Sequence, residues 1–129
     1  MASELRVDTL KDSSGNNSVG MAYVAEGSAK SWSYIDGGGT PTLEDSLNVS
    51  SVTDIATGQV ASNFTNNMSN ANFSSTFTPR EQGFIALMQE LDSSNQRSTS
   101  RCTSLCHNNA TTVHADCDGR SFAIHGDLA

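Results

Sequence analysis

Apolar and polar residues alternate with a period of two over short runs, and clusters of Gly, Asn, Asp and Ser separate the runs. Side chains on a strand point to opposite faces in turn, so this pattern predicts an antiparallel β protein. Leu5 and Val7 alternate with Arg6 and Asp8 as a first strand. It breaks at Asp12-Ser13-Ser14-Gly15-Asn16-Asn17, because Gly and Asn accept positive φ at little cost. Val19, Met21 and Tyr23 predict the next strand, closed by Glu26-Gly27, and Trp32 and Tyr34 alternate within Lys30–Ile35. Asp36-Gly37-Gly38-Gly39-Thr40-Pro41 is a loop, since three glycines forfeit too much backbone entropy for a strand interior. Leu47 and Val49 form a further alternating pair before a turn at Asp54–Gly58. Val60, Ser62 and Phe64, then Phe73, Ser75 and Phe77, complete the series. Runs at this spacing suit a sandwich or a small barrel.

Thr78–Leu91 supports two readings. Thr78-Pro79-Arg80-Glu81 resembles a helix capping box, and Phe84, Leu87, Met88 and Leu91 share a face at helical spacing. Gly83 opposes a helix, and Phe84 to Met88 equally fits a buried strand; a strand suits an otherwise all-strand chain better. Further on, an Asn108-Asn109 turn would pair Arg101–His107 with Ala110–Cys117. Asp118-Gly119 then leads into Ser121–His125, with Phe122 and Ile124 facing one way and Ala123 and His125 the other.

Composition changes the picture in one respect. Ser, Thr and Asn make up about a third of the 129 residues, against 36% apolar and 16% charged. A chain this rich in small polar side chains buries little apolar area per residue, so intersubunit burial in a homo-oligomer is expected to supplement its core. No run approaches the roughly 18 apolar residues of a transmembrane helix, so no membrane insertion is expected. The formal charge is −7, and Arg6, Lys11, Lys30, Arg80, Arg97, Arg101 and Arg120 are scattered. Phosphate neutralisation needs clustered cations, so no nucleic-acid partner is expected. The first residues lack a basic region followed by an apolar one, and three cysteines do not close a disulfide framework. Folding in a reducing cytoplasm is the expectation. The Asn-x-Ser/Thr triplets, such as Asn63-Phe64-Thr65, follow from composition and are assigned no glycan.

Candidate chemistry is sparse. Cys102, Cys106, His114 and Cys117 are the residue types zinc takes, although their spacing matches no standard zinc motif. In the hairpin register above, Cys102, Cys106, Val113, Ala115 and Cys117 share a face, while His107 and His114 point the other way. Cysteines beside Val and Ala act as small buried hydrophobes, so structural thiols outrank a metal site or a redox role. Trp32 and Tyr34 could stack on a sugar ring, though the chain's one Trp suits a core or an interface better. No Gly-x-Ser-x-Gly elbow, phosphate loop or Cys–His protease motif occurs, so neither an enzyme nor a cofactor is expected.

The opening Met1-Ala2-Ser3-Glu4-Leu5-Arg6-Val7-Asp8-Thr9-Leu10-Lys11-Asp12 and Ser14-Gly15-Asn16-Asn17-Ser18-Val19-Gly20 resemble the start of tail-fibre and related virion proteins of marine tailed bacteriophages. Ala29-Lys30-Ser31-Trp32 is similar to that family's Lys-Ala-Trp segment. Asp45–Asp54 with Thr57-Gly58 resembles its Asn-Val-Ser-Ser strand and turn. Asn63-Phe64-Thr65, Met68, Ala71-Asn72-Phe73 and His125-Gly126-Asp127 carry the same likeness, whereas residues 78–120 fall outside it. The resemblance implies a virion structural protein, assembled in the host cytoplasm as a homotrimer, with a lectin-like antiparallel β-sandwich body. Residues 1–28 would be an attachment arm, carrying Leu5, Val7, Val19 and Met21, and residues 29–129 the sandwich. Its partners would be copies of itself, other virion proteins and a host surface glycan. A receptor-recognition module, or a capsid or neck decoration protein, is the alternative.

Overall fold

The computed structural model describes residues 3–83, 86–90, 97–111 and 113–129. In chain order its elements are β1 (Thr9–Lys11), β2 (Ser18–Gly20), α1 (Met21–Gly27), β3 (Ser31–Asp36), β4 (Thr42–Leu47) and β5 (Val49–Ala56). Then come β6 (Gln59–Phe64), β7 (Ser74–Arg80), β8 (Ala86–Glu90), β9 (Arg101–Asn108), β10 (Val113–His114) and β11 (Gly119–His125). One antiparallel sheet runs β4-β3-β11-β7. The other runs β10-β9-β6-β5, with β8 also paired to β9. The fold is an all-β antiparallel sandwich, and among the described residues no helix is long and apolar enough to cross a membrane.

The core lies between the sheets and follows the period of two. Ile35, Phe122 and Ile124 from the first sheet meet Val60, Phe64 and Cys102 from the second, with Met68 and Phe73 closing one end from a loop. Phe64 stacks edge-on against Phe73, as Phe77 does against Phe122. Small polar residues fill the rest: the buried Ser33 and Ser62 hydroxyls hydrogen-bond across the gap at 3.2 Å. Two serines there remove apolar volume, but their pairing avoids the cost of an unsatisfied buried hydroxyl. As expected, Phe122 and Ile124 point inward while Ala123 and His125 are half-buried on the opposite face.

Several expected elements fall elsewhere. Leu5 and Val7 lie in irregular backbone before a hairpin of β1 and β2. The turn sets the register: the Asp12 carboxylate accepts from the Asn16 backbone N–H at 3.0 Å and from Asn17 Nδ2 at 2.7 Å. Pairing therefore grows outward from Lys11↔Ser18 and ends at Thr9↔Gly20. Met21 and Tyr23 form helix α1 rather than extending a strand. Ala22 and Ala25 favour helix, and Met21 and Val24, three apart, are its half-buried positions. Leu47 and Val49 do not share a strand: Asn48 between them has φ 57°, and the chain passes there from one sheet to the other. Asn accepts this conformation because its short side chain bonds locally, here to the Asn66 backbone N–H and carbonyl.

Strand wins over helix among the described residues of this stretch. Pro79 sits in β7, an edge strand of its sheet, where a missing N–H is tolerated, and Ala86–Glu90 pairs with β9. Glu81 caps no helix; its carboxylate accepts from the Gln82 and Gly83 N–H groups of a bend. Phe84 and Leu91 of the alternative helical face lie outside the described residues. The last hairpin pairs Val113↔Asn108 and His114↔His107, so its loop is four residues long rather than the two of an Asn108-Asn109 turn. A shift of four residues preserves face assignments, and the observed register makes His107 and His114 direct partners, ring to ring at 5.7 Å.

Candidate functional site

Two places concentrate side chains that could do chemistry or recognition. One is the outer face of the β4-β3-β11-β7 sheet. Because Ser31, Ser33 and Ile35 point into the core, Trp32 and Tyr34 point out. Trp32 lies opposite Leu47 on β4 and Ala123 on β11; Tyr34 lies opposite Asp45 and Ser121. The Tyr34 ring crosses β11 at Gly119, where an added Cβ would come within 2.8 Å of the hydroxyl oxygen, and Arg80 Nη1 donates to that oxygen at 3.3 Å. Tyr34 is thus held down, while Trp32 remains 37% exposed and Leu47 48% exposed. Leu47 also lines a groove of about 360 Å³ with Lys30, Asn66 and Leu128. Of the two places expected for the chain's Trp, the core is excluded: it takes the outward position in the alternation of β3.

The second place lies where the β5–β6 turn meets the segment before β11. Gly58, with φ 75°, donates its N–H to the Asp116 carboxylate at 2.6 Å. Its carbonyl accepts from the Cys106 N–H at 2.8 Å and from Arg120 Nη1 at 3.2 Å. Ala115 N–H bonds the Cys106 carbonyl at 3.2 Å, bringing Cys117 alongside β9. Cys106 and Cys117 are both fully buried and their thiols are hydrogen-bonded to each other. Arg120 is buried beside them, on the same inward alternation as Phe122 and Ile124. Among the described residues it makes no ion pair, and its Nε has no acceptor.

The electrostatics of this cluster are asymmetric. The hydrogen bond from Cys106, with the Arg120 guanidinium nearby, pulls the Cys117 thiol down to about 7. The same hydrogen bond and burial push Cys106 up, so Cys106 carries the shared proton. Cys102 is separate: burial, then the Glu90 carboxylate, push it up to about 12. Four residues along a strand span about 13 Å, which keeps Cys102 away from Cys106.

The four candidate metal ligands are therefore not brought together. Cys106 and Cys117 meet, Cys102 faces the apolar core, and His114 lies exposed beside His107 on the opposite face. Among the described residues no three His, Cys, Asp or Glu side chains are grouped to hold a metal ion. Of the arm residues, Leu5 is 80% exposed, Val7 and Val19 are exposed and Met21 is half-buried. Sequence reasoning missed Arg120, although the alternation that places Phe122 and Ile124 inward places Arg120 inward as well. Comparisons with protein-family models, curated proteins and solved structures found no match.

Proposed function

We propose that this chain is a structural subunit of a tailed-bacteriophage particle, a tail-fibre, tail or appendage protein that assembles as a homotrimer in the host cytoplasm and functions in the virion. The observation that carries this reading is the arm. None of residues 3–28 is buried, yet Leu5, Val7, Leu10, Val19 and Tyr23 are all exposed apolar side chains within it. Clustered apolar side chains left in water mark a surface that another molecule covers. The likeness of the same segment to virion proteins supplies the kind of partner: copies of this chain and neighbouring virion proteins. No catalytic role forms part of the proposal. Native mass spectrometry of the purified chain tests it, with a trimer expected. A monomer at micromolar concentration overturns it.

A second reading, glycan recognition, is favoured by Trp32. The indole, 37% exposed, lies between Leu47 and Ala123 on its sheet face, and two positions along the strand Tyr34 is flanked by Asp45, Ser121 and Arg80, so an aromatic platform adjoins hydrogen-bonding groups, which suits a sugar ring. On this reading the Trp fluorescence shifts when host surface polysaccharide is titrated in, and Trp32→Ala removes the binding while leaving the circular dichroism unchanged. A flat titration sinks it.

A further inference from the structure

We propose that Cys106 and Cys117 form a reversible intrachain disulfide that staples β9 to the segment leading into β11, with Cys117 as the sulfur that attacks first and Arg120 as the residue that positions and stabilises it. The inference is independent of the particle the chain belongs to.

Three observations carry it. First, both thiols are fully buried on adjoining backbone, where the Ala115 N–H bonds the Cys106 carbonyl at 3.2 Å, and each thiol is the other's hydrogen-bond partner. The backbone around them is pinned from both sides. Gly58 bonds Cys106 and Asp116, and Gly37 donates its N–H to the Asp118 carbonyl at 3.1 Å. Gly37 packs so tightly that an added Cβ would lie 2.3 Å from the Cys117 carbonyl oxygen. Second, Arg120 is 1% exposed with its Nε unpartnered. A buried guanidinium without a carboxylate is costly, and a thiolate at Cys117 compensates it. Third, the pair ties a strand of one sheet to the segment that leads from that sheet into β11 of the other. Cys106 lies on β9, and Cys117 lies two residues before β11 begins. Ala115–Cys117 is irregular backbone with Asp116 exposed, so a local opening there admits a reagent without separating the sheets.

The oxidant is a low-molecular-weight disulfide of the glutathione type. The Cys117 thiolate attacks one of its sulfurs, forming a mixed disulfide and expelling one thiolate, which takes up a proton. Cys106 then gives up its proton, and its sulfur attacks the Cys117 sulfur of the mixed disulfide, expelling the second thiolate. Two protein thiols are oxidised by two electrons, and one small disulfide is reduced to two thiols. Reduction by excess thiol reverses each step.

The test uses the full chain, reduced and then incubated with oxidised glutathione, followed by alkylation under denaturing conditions and mass spectrometry. The expected product is an unadducted chain two hydrogens lighter, with one alkylated cysteine where the reduced chain has three. Cleavage after Arg101, Leu105 and Arg120 places Cys102 on one peptide and the linked pair on another. The melting temperature of the oxidised chain rises by about 10 °C and returns on reduction. A Cys102→Ala chain still forms the link; Arg120→Met forms it several-fold more slowly, whereas Arg120→Lys retains part of the rate. Three alkylatable cysteines after prolonged oxidation, a link through Cys102, or a link between chains overturns the proposal. The wild-type measurement decides even where a variant fails to fold.

Discussion

Burial acts differently on the three cysteines, although composition presents them as equivalent. Cys102 sits in the apolar core, where desolvation raises its thiol from the usual 9.0 to about 12. The unfolded chain gives up this proton near pH 9 and the folded chain keeps it. The stability it contributes is therefore fully present below the unfolded pKa and is lost as pH rises toward 12. Between pH 9.5 and 11, unfolding free energy from urea titrations should fall by up to about 1.4 kcal/mol per pH unit on account of this one thiol. The slope should be shallower by about one proton in Cys102→Ala. Equal slopes in the two proteins would show that the core thiol ionises freely. Cys106 and Cys117 differ because a shared hydrogen bond and Arg120 decide which sulfur holds the proton. The alternation of Arg120, Phe122 and Ile124 was readable from the chain. That two cysteines 11 positions apart would lie beside that arginine was not, because a four-residue loop and a turn from another hairpin bring them together.

The strands form where alternation is long enough to bury one face, and they stop where a turn is specified by side-chain chemistry. β6 and β11 match their patterns because each contributes its inward residues to the common core, whereas β3 turns Ser31, Ser33 and Ile35 inward and its aromatic pair outward. The short patterns Leu5/Val7, Val19/Met21/Tyr23 and Leu47/Val49 misled, because two or three alternating residues fit a helix face or a bend equally well. Asn48 shows the competing principle: one left-handed residue fixed by bonds to Asn66 outweighs the alternation on either side. Turns also supply a test of close packing. A Cβ on Gly58 would meet the Cys106 carbonyl oxygen at 2.6 Å, and φ 75° adds backbone strain. Gly58→Ala should therefore lower stability by about 2–3 kcal/mol. Gly38→Ala, whose Cβ finds only the Asp36 side chain at 3.6 Å, should stay within about 0.5 kcal/mol of wild type. Urea midpoints measure both, and similar midpoints for the two variants would mean that the turn yields.

At the scale of the molecule, the sandwich is preceded by positions 3–28, among which no residue is buried. The arm's hairpin and helix are held by local bonds, Asp12 across its turn and Met21 N–H to the Asp8 carbonyl, rather than by a core of their own. Two strands and seven helical residues are too little to be stable in isolation, which is why the proposed trimer assigns the arm's apolar side chains a covering partner. By itself the sequence determined the all-β class, most of the strands and the inward faces of β6 and β11, because period-two patterning and turn chemistry are local properties of the chain. It named Trp32, Tyr34 and the cysteines as the residues of interest on residue type alone. Only the tertiary structure decided that Trp32 faces outward, that Cys106 meets Cys117 while Cys102 and His114 stand apart, and that Arg120 is buried beside them. Those outcomes depend on loop lengths, sheet crossings and a single left-handed Asn. These fix which distant segments become neighbours, and no window along the chain contains both members of such a pair.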